Sequence, residues 1–195
     1  MTSLILASTS RYRAELLTRL GLSFRTVAPQ VDESAYSAAN ARDLACSLAQ
    51  AKAQAVAGNH SGSVIIGSDQ VAFCDGRFLG KPGSLQAAIE QLQFQRGKTT
   101  QFETAICVVD ALGRSSLACV TTNVGWLDAS LLSDAQIEAY VQKERPIDCA
   151  GAAKSEGLGV TLIAHMRSDD PTALIGLPLI ALTGLLRKAG VEPLT

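Results

Sequence analysis

Short apolar runs alternate with stretches of helical spacing along this chain, which is the pattern of an α/β fold. Leu4-Ile5-Leu6-Ala7 reads as a short buried strand. Ser8 to Ser10 then offer helix N-caps, and Tyr12, Leu16, Leu17 and Leu20 recur at helical spacing until Gly21 stops the run. Residues 24–28 predict a second strand, followed by the acidic turn Val31-Asp32-Glu33. A long helix is expected over residues 41–57, with Leu44, Leu48, Ala51 and Ala55 as its buried stripe and Lys52 at the stripe's edge. Val64-Ile65-Ile66 reads as a strand delivering Asp69 at its end. The Asp75-Gly76 dipeptide between Val71-Ala72-Phe73 and Phe78-Leu79 signals a hairpin.

Further on, residues 85–94 form an amphipathic helix closed by Gly97. Two longer strands are predicted over residues 102–110 and 116–128, turning at Leu112-Gly113. Ser133-Asp134-Ala135-Gln136 opens a helix that stops before Pro146. The segment from Cys149 to Gly157 is bounded by glycine and polar at its centre. Residues 174–186 are apolar but contain Pro178, and are shorter than the about 20 residues a membrane helix needs. They read as a buried helix starting at Pro178. No repeat or low-complexity tract occurs, so one compact α/β domain over residues 1–195 is expected, with room for two lobes.

Composition narrows the partners. Of 195 residues, 47% are hydrophobic and 18% charged, which suits a well-packed globular chain. The net charge of -1 lacks the basic excess with which proteins grip nucleic acid polymers, whereas a small anion needs only a local cluster of cations. The five scattered cysteines include no C-x-x-C pair, and there are only two histidines. A zinc site and a disulfide framework are therefore not expected; reduced, mostly buried thiols in a cytoplasmic protein are. The start, Met1-Thr2-Ser3-Leu4, shows no basic stretch of the kind that opens a signal peptide.

The candidate chemistry lies where apolar runs end. Arg13 and Lys81 supply donors for phosphate oxygens, Arg bidentately and Lys as a point charge. Glu33 and Asp69 are oxygen ligands of the kind Mg²⁺ or Mn²⁺ prefers, and Asp69 could instead take a proton from water. Each residue also has a plainer role. Arg13 could be a solvated helix charge, Lys52 could snorkel from a buried stripe, Asp69 could cap a turn, and Gly80-Lys81-Pro82 could be a tight turn. Lys154 and Glu156 could form a local ion pair.

The order of these segments resembles the Maf family of nucleotide pyrophosphatases. The run Leu4-Ile5-Leu6-Ala7-Ser8-Thr9-Ser10 with Arg13, then Val31-Asp32-Glu33, Ala51-Lys52-Ala53, Ile66-Gly67-Ser68-Asp69-Gln70 and Gly80-Lys81-Pro82 carries the likeness. It continues through Cys149-Ala150-Gly151, Lys154-Ser155-Glu156-Gly157 and residues 170–179, covering nearly the whole chain. The resemblance implies a mixed, elongated α/β sheet flanked by helices, with two lobes around an active-site cleft. It implies release of a nucleoside monophosphate and pyrophosphate from a triphosphate, with a divalent metal. Asp69 matches the proton acceptor, and Ser8, Arg13, Glu33, Lys52 and Lys81 match polar and charged site residues. A homodimer is the assembly it suggests.

Three positions separate branches of that family: Tyr12, Gln70 and Lys154 here, against Arg, Thr and Gln in the branch acting on dTTP and UTP. The set found here resembles the branch acting on 7-methyl-GTP. Methylation at N7 makes guanine cationic, and an aromatic face attracts such a cation where Arg would repel it. Lys154 would then point at O6 or at a phosphate. Two departures bear on affinity: Ala14 replaces a second Arg that Arg11 could stand in for, and Ala153 replaces a bulkier residue. The alternatives are the same chemistry on dTTP and UTP, or a nucleotide-binding regulator of septum formation and cell division.

Overall fold

A computed structural model describes residues 3–194, so Met1 and Thr2, on which part of the signal-peptide reading rests, lie outside the described residues. Among the described residues, seven strands form one mixed sheet. In chain order they are β1 (Leu4–Ala7), β2 (Arg25–Val27), β3 (Val64–Cys74), β4 (Arg77–Leu79), β5 (Thr99–Val109), β6 (Ser115–Trp126) and β7 (Ile163–Ser168). Across the sheet they run β2-β1-β3-β5-β6-β7, with β4 paired to β3. The helices are α1 (Arg11–Thr18), α2 (Ala41–Ala57), α3 (Leu85–Gln95), α4 (Asp134–Glu144) and α5 (Leu179–Lys188). No helix among the described residues is long and apolar enough to cross a membrane.

The chain folds into two compact units. The first comprises the residues up to Gln70, Glu103–Val120 and the segment from Asp170 onward. Here β1 pairs in parallel with both β2 and β3. Side chains alternate across a strand, so Leu4 and Leu6 of β1, Val64 and Ile66 of β3, and Ile106 and Val108 of β5 share a face. Leu16 and Leu17 of α1 and Leu182, Leu185 and Leu186 of α5 close over that face. Ile65 and Gly67 lie on the opposite side of β3 by the same alternation, which is the side where α2 sits.

Packing of α2 differs from its expected stripe. Its buried residues are Ala41, Ala45, Leu48, Ala49, Lys52, Ala53 and Val56, while Ala55 is exposed and Leu44 and Ala51 are half-buried. The reason is Gly67. A side chain there would collide with the Ala49 carbonyl oxygen and stand 2.6 Å from the Ala53 nitrogen, so small residues meet backbone at this crossing. Choosing the smallest residues for the contact rotates Lys52 from the stripe's edge into its middle.

The second unit comprises Val71–Phe102 and Thr121–Asp169. Its hairpin turns at Asp75 (φ +46°) and Gly76 (φ +80°) as the dipeptide predicts, with β4 antiparallel to β3. The helix opened by Ser133 carries a full capping box with Gln136. Buried Gln95 bonds the Gly151 carbonyl and accepts from Thr100, whose oxygen in turn accepts the Trp126 indole N–H. Antiparallel β7 on β6 was not foreseen; it is mostly exposed and too polar to show an apolar run.

Candidate active site

Asp69 is not at a strand end. It sits within β3, with neighbours Ser68 and Gln70 on one side of the strand and its own side chain on the α2 side. Capping a turn is thereby removed as its role. Two residues from the Gly67 crossing, its carboxylate Oδ1 meets the Lys52 ammonium at 2.6 Å, and both groups are buried. The same ammonium meets Glu33 Oε1 at 2.7 Å. Glu33 opens a 3₁₀ turn (Glu33–Ala35) whose cap is Asp32, accepting the Ser34 N–H, and its side chain is largely exposed. Lys52 is therefore no snorkelling lysine: it bridges two carboxylates.

Burial pushes the Asp69 carboxyl above its ordinary range; Lys52 and Arg13 pull it back down and Glu33 pushes it up. The attraction of its partners does not fully offset desolvation, so this carboxylate is a stronger base than a solvated one. Arg13, half-buried in α1, is held below its ordinary value by burial, an effect that Asp69 and Glu33 oppose. Its Nε donates to the Gly176 carbonyl at 3.0 Å. Ser8, buried at the end of β1, accepts the Ser10 N–H, and Ser10 caps α1 by accepting the Arg13 N–H. The positive end of α1 thus opens beside Ser8.

Gln70 is half-buried and faces the segment that follows Asp170. Its Nε2 lies 3.1 Å and 3.0 Å from the carbonyls of Ala173 and Leu174, which identifies that end of the amide as the nitrogen. Thr104 Oγ1 joins the same group, accepting from Gln70 and donating to Ala173. Tyr12 accepts a hydrogen bond from Arg11, whose guanidinium lies 4.8 Å from the ring centroid. Arg11 is thereby drawn to Tyr12, the ring already serving as a cation receptor.

Lys81 and Lys154 belong to the second unit. Lys81 is exposed in the turn after β4. Lys154 Nζ donates to the Glu144 carbonyl at 2.7 Å, the C-terminal end of α4, where a cation is favoured. Tyr140 accepts the Lys154 backbone N–H and donates to the Ala152 carbonyl. Glu144 also accepts the Leu158 N–H, so α4 holds the 152–158 segment at both ends. Ion pairing with Glu156 is not what organises it.

The structure thus gathers Arg13, Glu33, Lys52 and Asp69 into one charged group, with Ser8 at the neighbouring strand end. Ser68 and Thr104 escape a reading of charges and spacing, because their hydroxyls act through backbone carbonyls far along the chain. Two of the thiols are poor nucleophiles: burial pushes Cys107 up to about 11 and Cys149 up to about 12. Among the described residues no cluster of three or more His, Cys, Asp or Glu could hold a metal alone. Asp69 and Glu33 each turn a carboxylate oxygen to the Lys52 ammonium, and carboxylate oxygens are the donor type that a hard divalent ion takes.

Comparison with known proteins follows the same line. The family model described as "Maf-like protein" matches residues 3–189. A protein of Cupriavidus pinatubonensis named 7-methyl-GTP pyrophosphatase is 50% identical over 188 residues, covering 96% of this chain and 93% of the relative. One of Bordetella pertussis with the same name is 50% identical, covering 98% and 94%. One of Aromatoleum aromaticum, again so named, is 51% identical and covers 97% of each. With a family match over almost its full length and relatives half identical to it, this chain belongs to the Maf-like protein family.

Proposed function

We propose that this chain is a nucleoside triphosphate pyrophosphatase that hydrolyses 7-methyl-GTP to 7-methyl-GMP and pyrophosphate. The observation that carries the reading is the buried Asp69 carboxylate, raised in basicity and aimed by Lys52, in a chain half identical to proteins of that name. Splitting the anhydride requires a water to add to phosphorus and lose its proton. Asp69 takes that proton, and Lys52 fixes the direction of its carboxylate. Arg13, Ser8, Lys81 and the open end of α1 bind phosphate oxygens, for which forked and point-charge donors are suited.

Asp69 and Glu33 would hold Mg²⁺ or Mn²⁺, which would neutralise phosphate charge. Base recognition belongs to Tyr12, Gln70 and Lys154. The cation-binding face of Tyr12 suits the positive charge of the N7-methylated ring, which would replace Arg11. With its nitrogen turned to the protein, Gln70 offers Oε1, an acceptor suited to the donor edge of guanine. Lys154 contributes through the segment that α4 holds. A homodimer working in the cytoplasm completes the proposal.

The test is release of pyrophosphate by purified protein with Mg²⁺ or Mn²⁺, comparing 7-methyl-GTP, GTP, dTTP and UTP. A preference for 7-methyl-GTP supports the whole reading. Preference for dTTP and UTP keeps the reaction and overturns the roles of Tyr12, Gln70 and Lys154. No turnover of any of the four favours a nucleotide-binding regulator.

A further inference from the structure

The hydroxyl of Ser68 is fully buried in β3 and is unused in the chemistry above. It donates to the Gly176 carbonyl at 3.0 Å, and Arg13 Nε donates to that same oxygen, also at 3.0 Å. A carbonyl oxygen has two lone pairs, so these two donors fill its capacity and fix its direction. Arg13 uses only Nε here, leaving the outer amino groups of its fork for an anion. Gly176 permits the arrangement through its φ of +119°, a conformation that residues with a side chain rarely adopt.

The carbonyl is held in place from elsewhere as well. Gln70 and Thr104 fix Ala173 and Leu174, and Asp170 accepts the N–H groups of Thr172 and Ile180. Thr172 donates in turn to the Leu177 carbonyl. A backbone oxygen anchored on both sides of the sequence is a rigid reference for a flexible arginine.

We propose that Ser68 is a positioning residue for phosphate binding: through the shared Gly176 carbonyl it sets the direction in which Arg13 presents its outer amino groups. The proposal rests on the pyrophosphatase reading, which gives Arg13 to phosphate. Ser68 and Asp69 point to opposite sides of β3, so Ser68 does not touch the carboxylate and its main effect falls on binding, through Arg13.

The experiment is a double-mutant cycle between Ser68→Ala and Arg13→Lys, read by KM and kcat for 7-methyl-GTP and by the Kd of pyrophosphate in calorimetry. Lysine has no Nε to share the carbonyl. Ser68→Ala in the wild-type background should raise KM and Kd together by about tenfold, with kcat and its pH profile within about twofold. In the Arg13→Lys background it should add less than about twofold. An equal loss in both backgrounds, unchanged KM, or a fall in kcat with a shifted pH profile overturns the proposal. Should Ser68→Ala fail to fold, Ser68→Cys should lie between wild type and a several-fold loss, and equality with wild type overturns it. If wild type hydrolyses no nucleotide but binds pyrophosphate, the reaction reading fails while the Kd cycle still decides Ser68. If it binds no pyrophosphate, both fall.

Discussion

Replacing Gly67 by alanine should separate the two halves of the site. The added methyl would collide with the Ala49 carbonyl oxygen and lie 2.6 Å from Ala53 N and 2.8 Å from Ala53 Cβ, where ordinary contact begins at 3.4 Å. Two of those atoms are helix backbone, so no side chain can turn aside. Overpacking of this kind costs about 1–3 kcal/mol, which in a chain of this size lowers Tm by about 2–12 °C. Relief comes from α2 retreating by roughly 1 Å, and a displacement of that size at a reacting centre costs about 100-fold in rate. Lys52 rides on that helix next to Ala53, so the 2.6 Å contact with Asp69 is the one that lengthens. The assay is kcat for pyrophosphate release beside a thermal melt. Gly184→Ala is the control: it lies exposed in α5 with nothing within 4 Å of a new Cβ, and should stabilise by about 0.5–1 kcal/mol. Full turnover with unchanged Tm in Gly67→Ala would refute the close-approach argument.

Asp69→Asn should lower kcat by about 10²–10⁴-fold while leaving Tm at neutral pH equal or higher. The sign follows from linkage: a carboxyl raised on folding binds its proton more tightly in the native state, so stability falls as pH rises through the window above 3.8. Asparagine removes that slope, which melts between pH 4 and pH 8 (assay values chosen about this range) will show; an unchanged slope contradicts the assignment. Lys52→Met should move the acidic limb of the kcat–pH profile upward, because Lys52 lowers Asp69 and Glu33 remains to raise it. A limb that stays in place removes Lys52 as the partner that matters. Tyr140→Phe, losing the bonds to Lys154 N–H and the Ala152 carbonyl, should destabilise by about 1–3 kcal/mol and weaken discrimination between 7-methyl-GTP and GTP. Unaltered discrimination would separate that segment from base recognition.

Much of the fold was legible because its signals are local. The helix over residues 41–57, the Asp75-Gly76 hairpin and the capping box at Ser133 follow from periodicity and turn chemistry, and all three stand in the structure. What pattern alone could not give was the meaning of small residues. Hydrophobicity assigned α2 a stripe through Leu44 and Ala55, whereas the helix seats on Ala45, Ala49 and Ala53 because Gly67 lets backbones approach. Lys52 moves to the centre of the site as a result. The pattern of Val64-Ile65-Ile66 places Asp69 at the end of a strand, yet β3 continues to Cys74 with the side chains of Ser68, Asp69 and Gln70 paired on either side. The candidate residues of the first unit were found by type and order. Their partners in residues 173–176 were not, since a carbonyl oxygen leaves no mark in a sequence.

The most direct test is product analysis on 7-methyl-GTP with wild type and Asp69→Asn side by side, following 7-methyl-GMP and pyrophosphate. The account predicts equimolar products from wild type and almost none from the variant, which should still fold and bind the nucleotide. Equal turnover by the two proteins, or release of orthophosphate in place of pyrophosphate, would contradict it.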